Sequence, residues 1–268
     1  MRTALITIAA GRSSHLTAQA AAVARSTLTP EVYVVVAMDD PALVDVVPQA
    51  DVVNVSRVHG ALPLAAARNA GVARARELGA ELLVLLDVDC LPEAGMLARY
   101  AQVAGDRGGV LCGPVGYLPP RPAGGYPASG LRELARPHPA RPVPGDNEIL
   151  SAEQPDLFWS LSFAVTAATW DVIGGFCEQF YGYGGEATDF GHAAARAGVA
   201  MWWVGGAWAY HQDHGPGGPP VQHLDDIVRN VEVFRARWGW EPMGGWLDDF
   251  ARAGLIVRDP DSDRWVRT

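Results

Sequence analysis

The stretch Glu81-Leu82-Leu83-Val84-Leu85-Leu86-Asp87-Val88-Asp89 decides the fold class. Leu82–Leu86 is an unbroken apolar run of strand length, as a central parallel strand buried on both faces requires, and it stops at two carboxylates. Immediately upstream, Pro63 opens and Gly79 closes a predicted helix from Leu64 to Leu78. Further upstream lie a short strand at Asp51–Val55 and the β-branched run Glu31–Ala37, which ends in Met38-Asp39-Asp40-Pro41. A helix capped at Ser13-Ser14 runs through Leu16, Ala20 and Val23 to about Arg25, after a first apolar strand at Ala4–Ala9. Strands alternating with helices predict an α/β fold with a Rossmann-like, mostly parallel, doubly wound sheet.

Downstream the texture changes. Between Gly113 and Gly145, prolines at 119, 120, 122, 127, 137, 139, 142 and 144, with Gly124-Gly125, preclude long regular elements. The expected organisation is one domain in three stretches: 1–112, a Pro/Gly-rich loop at 113–150, and 151–268. That loop reads equally as a disordered insertion or as a loop facing a substrate. Beyond it come a strand within Phe158–Thr166, a short helix capped by Thr169 and ending at Gly174-Gly175, and a helix from Glu186 to Ala197. Strands at Ala200–Val204 and Trp208–His211 follow, then a loop from Gly215 to Pro220. A last amphipathic helix carries Leu224, Ile227, Val228, Val231 and Phe234 on one face.

The chain has 268 residues, 30 acidic against 21 basic, and a net charge of −9, which disfavours nucleic acid and anionic membranes as partners. Every basic residue is arginine. The absence of lysine excludes a P-loop lysine, a Schiff base and a lysine general base. Cys90, Cys112 and Cys177 fit no metal-binding or disulfide spacing and read as buried thiols. The N-terminal apolar run is too short for a signal peptide, and none reaches the length of a membrane span, so a cytoplasmic protein is expected.

Three motifs carry chemistry. Asp87-Val88-Asp89 puts two carboxylates at the carboxyl end of a parallel strand, where open α/β sheets bind ligands and where both can reach one hard divalent cation. Such a cation suits a diphosphate, whose charge it neutralises. Gly182-Tyr183-Gly184-Gly185-Glu186-Ala187-Thr188-Asp189 combines glycines that admit a close ligand, a flat aromatic face, and carboxylates at 186 and 189 that can share one side of a helix start. Their competing reading is helix-end electrostatics. Tyr210-His211-Gln212-Asp213-His214 offers imidazoles after a strand, with none of the close histidine spacings of zinc hydrolases.

The order and content of these motifs resemble the metal-dependent GT-A glycosyltransferases, specifically family-2-like enzymes with a β-1,4-galactosyltransferase-like C-terminal segment. The resemblance runs from Thr3 to about Trp238, and its specific part is Gly174-Gly175-Phe176 through Asp189. It implies an inverting transfer of a hexose, with a UDP-hexose favoured, to an unidentified hydroxyl acceptor. By resemblance, Gly11 and Arg12 contact the nucleotide and diphosphate, Asp39 the base, and Arg68 and Asn69 lead toward the phosphates. Asp89 and His211 would ligate Mn²⁺ or Mg²⁺, and Asp87 would hold ribose or a metal-bound water. Tyr183 takes the place of the family's Trp beside the sugars, Gly185 is a further donor-binding residue, and Glu186 holds sugar hydroxyls.

Ala187 departs from this pattern, because the family's base Asp usually stands there. An inverting transfer needs a group to accept the acceptor's proton. Asp189 or Glu186 could substitute, the chain could be an inactivated variant, or it binds without turnover; the inactivated variant is favoured. The alternatives to a transferase are a sugar-nucleotide nucleotidyltransferase, for which Gly11-Arg12-Ser13-Ser14 is a thin phosphate loop, and a non-catalytic binding protein on the same fold. Among nine tryptophans, Trp159 is the candidate for touching an acceptor.

Overall fold

The structure is a computed structural model and describes residues 1–213 and 220–268, so His214 and residues 215–219 of the expected loop lie outside the described residues. The chain opens with β1 (Thr3–Ala9), α1 (Ser13–Val23), β2 (Val32–Met38), β3 (Asp51–Val55), α2 (Leu64–Glu77) and β4 (Leu82–Leu86). β1, β2 and β4 are buried along their whole length, which is why their sequences carry no polar alternation. Next come β5 (Cys90–Pro92), α3 (Met96–Asp106) and β6 (Val110–Cys112). The proline-rich segment contributes only short pieces: β7 (Val115–Tyr117), α4 (Leu131–Leu134), β8 (Arg136–Pro137) and β9 (Ile149–Ser151). The remainder is β10 (Ser162–Thr166), α5 (Ala167–Ile173), α6 (Glu186–Arg196), β11 (Met201–Val204), β12 (Ala209–His211), α7 (Leu224–Trp238), α8 (Gly244–Arg252) and the hairpin β13 (Ile256–Asp259) and β14 (Arg264–Arg267).

An eight-stranded sheet runs in the order β3-β2-β1-β4-β10-β6-β11-β9. Its first four strands are parallel, as expected from the alternating sequence. The far half is mixed: β10 lies antiparallel between β4 and β6, β11 is parallel to β6, and β9 closes the edge antiparallel. Apolar clusters cover both faces, one built on Ile6, Val36, Leu85 and Phe163 and the other on Leu5, Val35, Val84 and Tyr100. α7, α8 and the last hairpin enclose a separate cluster around Ile227, Val231, Leu247 and Phe250.

Local details differ from the expectations. α5 is capped by Thr166, whose hydroxyl accepts the Thr169 amide at 3.2 Å; the two threonines exchange the expected roles because the chain is still extended at 166. α1 begins at Ser13 itself with no side-chain cap, and ends at Val23. The Pro/Gly-rich segment is seated on the body, with the Gly205 amide donating to the Glu148 carbonyl at 2.9 Å and β9 pairing with β11. Cys90 and Cys112 are buried, whereas Cys177 is half-buried. Among the described residues no helix is long and apolar enough to cross a membrane.

Candidate active site

A second, four-stranded sheet, β5-β12-β7-β8, stands at the carboxyl end of β4. Because β12 pairs antiparallel with β5, His211 lies opposite Cys90, one residue beyond Asp89. The Gln212 amide donates to the Asp89 carbonyl at 2.7 Å. This register, and not proximity in sequence, brings His211 Nε2 to 3.6 Å from Asp89 Oδ1. Arg12, the residue directly before α1, donates to Asp89 Oδ2 at 2.8 Å. One carboxylate thus faces an imidazole and a guanidinium delivered by three separate stretches of chain.

The turn that carries Asp87 and Asp89 is held from beneath by Gln19 on α1, which is fully buried. Its Nε2 donates to the carbonyls of Asp87 and Cys90 at 2.8 and 2.9 Å, while its Oε1 accepts from Thr7 at 2.8 Å. Gln19→Leu removes both donors and strands two buried carbonyls. A loss of about 2–4 kcal/mol in chemical denaturation is expected, together with weaker ligand binding at the turn. The sequence signal for Gln19 was available, since a polar residue stands on the apolar stripe between Leu16 and Val23.

Arg68 on α2 is almost completely buried and joins two carboxylates, donating to Asp87 Oδ1 at 3.0 Å and Glu186 Oε1 at 3.2 Å. Its guanidinium also lies over the Phe176 ring, 5.2 Å from the centroid. Burial pushes the Asp87 carboxyl up to about 6, helped by repulsion from Asp89 and Glu186 and opposed by Arg68. Burial also raises the Tyr183 phenol, and the charges of Glu186, Asp87 and Asp89 act in the same direction.

The glycine-rich loop is shaped by α7. Gly182 has φ +72° and a Cβ there would stand 2.1 Å from the Asp226 carboxyl carbon, so only glycine fits. Asn230, fully buried, donates to the carbonyls of Tyr181, Tyr183 and Gly184 at 3.1, 3.3 and 2.7 Å. Gly185, at φ +93°, turns the chain into α6 and so aims Glu186 at Arg68. The Tyr183 ring stacks on His223 at 4.6 Å and leans on Trp246 at 5.8 Å.

Several candidate residues sit elsewhere than expected. Asn69 is spent on the fold: its amide exchanges hydrogen bonds with the Phe176 backbone at 2.9 Å and reaches Glu178 at 2.8 Å, so it clamps the Gly174-Gly175-Phe176 turn. Asp189 does not share a side with Glu186. It is fully buried and accepts from Arg237 at 2.6 Å and from the Trp238 indole at 2.8 Å, so it ties α6 to α7 and is not placed as a substitute base. Asp39 is exposed and paired with Arg57 at 3.2 Å. The Gly11 amide is taken by Asp40 at 2.7 Å, a contact between the ends of β1 and β2 that sequence reading missed. Ala187 is half-buried against the core on the α2 side of the sheet.

Asp89 and His211 offer a hard divalent cation one carboxylate and one imidazole. Among the described residues no group of three or more His, Cys, Asp or Glu is arranged to hold an ion. Two protein donors suit Mn²⁺ or Mg²⁺ when phosphate oxygens and waters complete the shell, so the residues present fit a cation shared with a diphosphate and not one caged by protein.

No family model matches the sequence, and no curated protein matches it. Solved structures do match in fold. S. aureus TarS 1-349 superposes with a TM-score of 0.58 at 14% identity, over 88% of this chain and 65% of that one. The same TarS fragment in complex with UDP-GlcNAc gives 0.58 at 13%, over 88% and 66%. GalNAc-T7 with UDP, GalNAc and Mn²⁺ gives 0.60 at 16%, over 94% and 57%. The chain therefore spans less than two thirds of the length of these neighbours. At such identities the likeness is one of architecture: the mixed α/β sheet described above is the GT-A glycosyltransferase fold.

Proposed function

We propose that the protein is a metal-assisted, inverting glycosyltransferase that takes a hexose from a UDP-hexose and delivers it to a hydroxyl acceptor. The observation that carries this reading is the meeting of Asp89, His211 and Arg12 at the carboxyl rim of the sheet, beside the Arg68-linked pair Asp87 and Glu186. In this reading Asp89 and His211, with Asp87 two residues before Asp89, would hold Mn²⁺ or Mg²⁺, and the ion would supply positive charge for the diphosphate. Arg12 turns from Asp89 toward the phosphates, Asp39 lies nearest the base, and Tyr183 and Glu186 border the sugar. TarS and GalNAc-T7, whose structures hold UDP-GlcNAc or UDP with Mn²⁺, lend the donor class.

The test is a thermal-shift titration of UDP-, GDP- and dTDP-sugars with Mn²⁺. A ligand at a hundred times its Kd adds about 2.7 kcal/mol, and UDP-hexose is expected to give the largest shift, abolished by EDTA. UDP binding that ignores EDTA contradicts the metal. Because Asp87 must be ionised to support a cation, Mn²⁺-dependent UDP affinity is expected to fall as pH drops through about 6. A flat profile from pH 5 to 8 would remove Asp87 from the cation's surroundings.

A second reading, a binding protein without turnover, is favoured by one observation: Ala187 has no proton-accepting group, and Asp189 is locked to Arg237 and Trp238. The Ala187→Asp variant separates the two.

A further inference from the structure

Both carboxylates of the Asp87-Val88-Asp89 turn already hold a guanidinium: Arg68 donates to Asp87 Oδ1 at 3.0 Å and Arg12 to Asp89 Oδ2 at 2.8 Å. The two pairs differ in kind. The Arg68 side chain is only 5% exposed, has a second carboxylate in Glu186 and lies over the Phe176 ring, so its charge has nowhere else to go. The Arg12 side chain is 36% exposed, and among the described residues Asp89 is the one carboxylate it pairs with. It follows Gly11, which has φ +62° and open space where a Cβ would stand, and it precedes α1. Rotation about its side-chain bonds can carry the guanidinium away from Asp89 while the backbone stays in place.

Asp89 itself depends on a cation. Its side chain is 12% exposed, and its other oxygen has His211 Nε2 at 3.6 Å, a neighbour that is charged only when protonated. A carboxylate so withdrawn from water is costly without a positive charge beside it. Arg12 therefore fills the electrostatic place that a divalent ion would take. A dication and a guanidinium on one carboxylate repel each other, and more strongly in this half-buried setting than in water. The arrival of one is thus linked to the departure of the other. Once released, the guanidinium needs an anion, and a diphosphate offers oxygens in the forked geometry that arginine favours.

We propose that Arg12 is an internal stand-in for the metal: it occupies Asp89 until a divalent ion displaces it, and the released guanidinium then takes the diphosphate, so that ion and nucleotide each strengthen the binding of the other. The nucleotide half rests on the transferase reading, whereas the competition at Asp89 is measured with the metal alone. Mn²⁺ titrations followed by electron paramagnetic resonance, without nucleotide, on the native, Arg12→Lys and Arg12→Gln chains supply the first measurement. Arg12→Gln is expected to bind Mn²⁺ at least about fivefold more tightly than the native chain, because its Asp89 has lost the competing cation. Arg12→Lys keeps the charge and is expected to stay within about twofold of native. A bridge that only held the fold would give the opposite sign, weaker Mn²⁺ binding in Arg12→Gln. The second measurement repeats the titrations with UDP, which is expected to raise Mn²⁺ affinity at least about fivefold more in the native chain than in Arg12→Gln; chelation of Mn²⁺ by UDP itself is common to both and cancels in the ratio. If Arg12→Gln does not fold, arginine side-chain NMR on the native chain decides, with the Arg12 guanidinium restrained in the metal-free protein and freely rotating at saturating Mg²⁺. Equal or weaker Mn²⁺ binding by Arg12→Gln, or a guanidinium still restrained with Mg²⁺ bound, overturns the proposal and leaves the transferase reading standing. Mn²⁺ that binds no form of the chain overturns both. Tighter Mn²⁺ binding by Arg12→Gln with no UDP binding to any form upholds the competition at Asp89 and overturns the diphosphate half together with the donor reading.

Discussion

Ala187→Asp is expected to raise sugar transfer by about 10²–10⁴-fold, the usual contribution of a positioned general base. The position is the second residue of α6, directly after Glu186, and it is half-buried at the edge of the core, so a longer side chain there has a path to solvent. No neighbouring carboxylate can stand in for it. Glu186 is engaged by Arg68 at 3.2 Å, and Asp189 is held by Arg237 and Trp238. The start of α6 keeps an added carboxylate ionised and ready to accept a proton. The readout is UDP release from UDP-hexose, with water and then with a panel of hydroxyl acceptors, alongside the Kd for UDP. A higher rate at unchanged Kd supports the assignment. An unchanged rate shows that Ala187 is not a vacated base position, and favours the binding protein.

Arg68→Leu is expected to be the most damaging single change to stability, at about 3–5 kcal/mol, with loss of donor binding. Removing one partner of a buried ionic group leaves the other charge uncompensated, and here two carboxylates, Asp87 and Glu186, lose the same guanidinium. The sign of the pH dependence follows. Asp87 already holds its proton more tightly in the folded chain, at about 6, than its ordinary value of 3.8. The native state therefore binds more protons than the unfolded one between those values, and stability falls as pH rises across that window. Without Arg68 the window extends upward, so the variant's deficit is expected to grow from pH 5 to pH 7 in urea denaturation. A deficit independent of pH would mean that Arg68 acts through packing on Phe176 and not through charge.

Much of the frame was legible because it depends on local chemistry. Buried parallel strands announce themselves as continuous apolar runs, and β1, β2 and β4 stand where Ala4–Ala9, Glu31–Ala37 and Leu82–Leu86 placed them. The Asp87-Val88-Asp89 turn was readable for the same reason: a carboxylate ending a central strand has few structural excuses. β10 was less legible in direction than in position, since nothing in Ser162–Thr166 records that it runs antiparallel between β4 and β6.

The site residues divide along the same line. Asp89 and His211 were separable as candidates by residue type and strand context, yet only the β5–β12 register sets them 3.6 Å apart. Asn69 and Asp189 carried the same chemical promise as Arg68 and Glu186, and they fail because their partners, the Phe176 backbone and Arg237, come from remote stretches of chain. Sequence by itself determined the parallel half of the sheet, the motifs and the charge inventory, since periodicity and composition are properties of neighbours along the chain. Tertiary structure decided which polar side chains are spent on holding the fold and which meet at the carboxyl rim of the sheet, because a hydrogen bond between residues a hundred positions apart leaves no trace in the order of either.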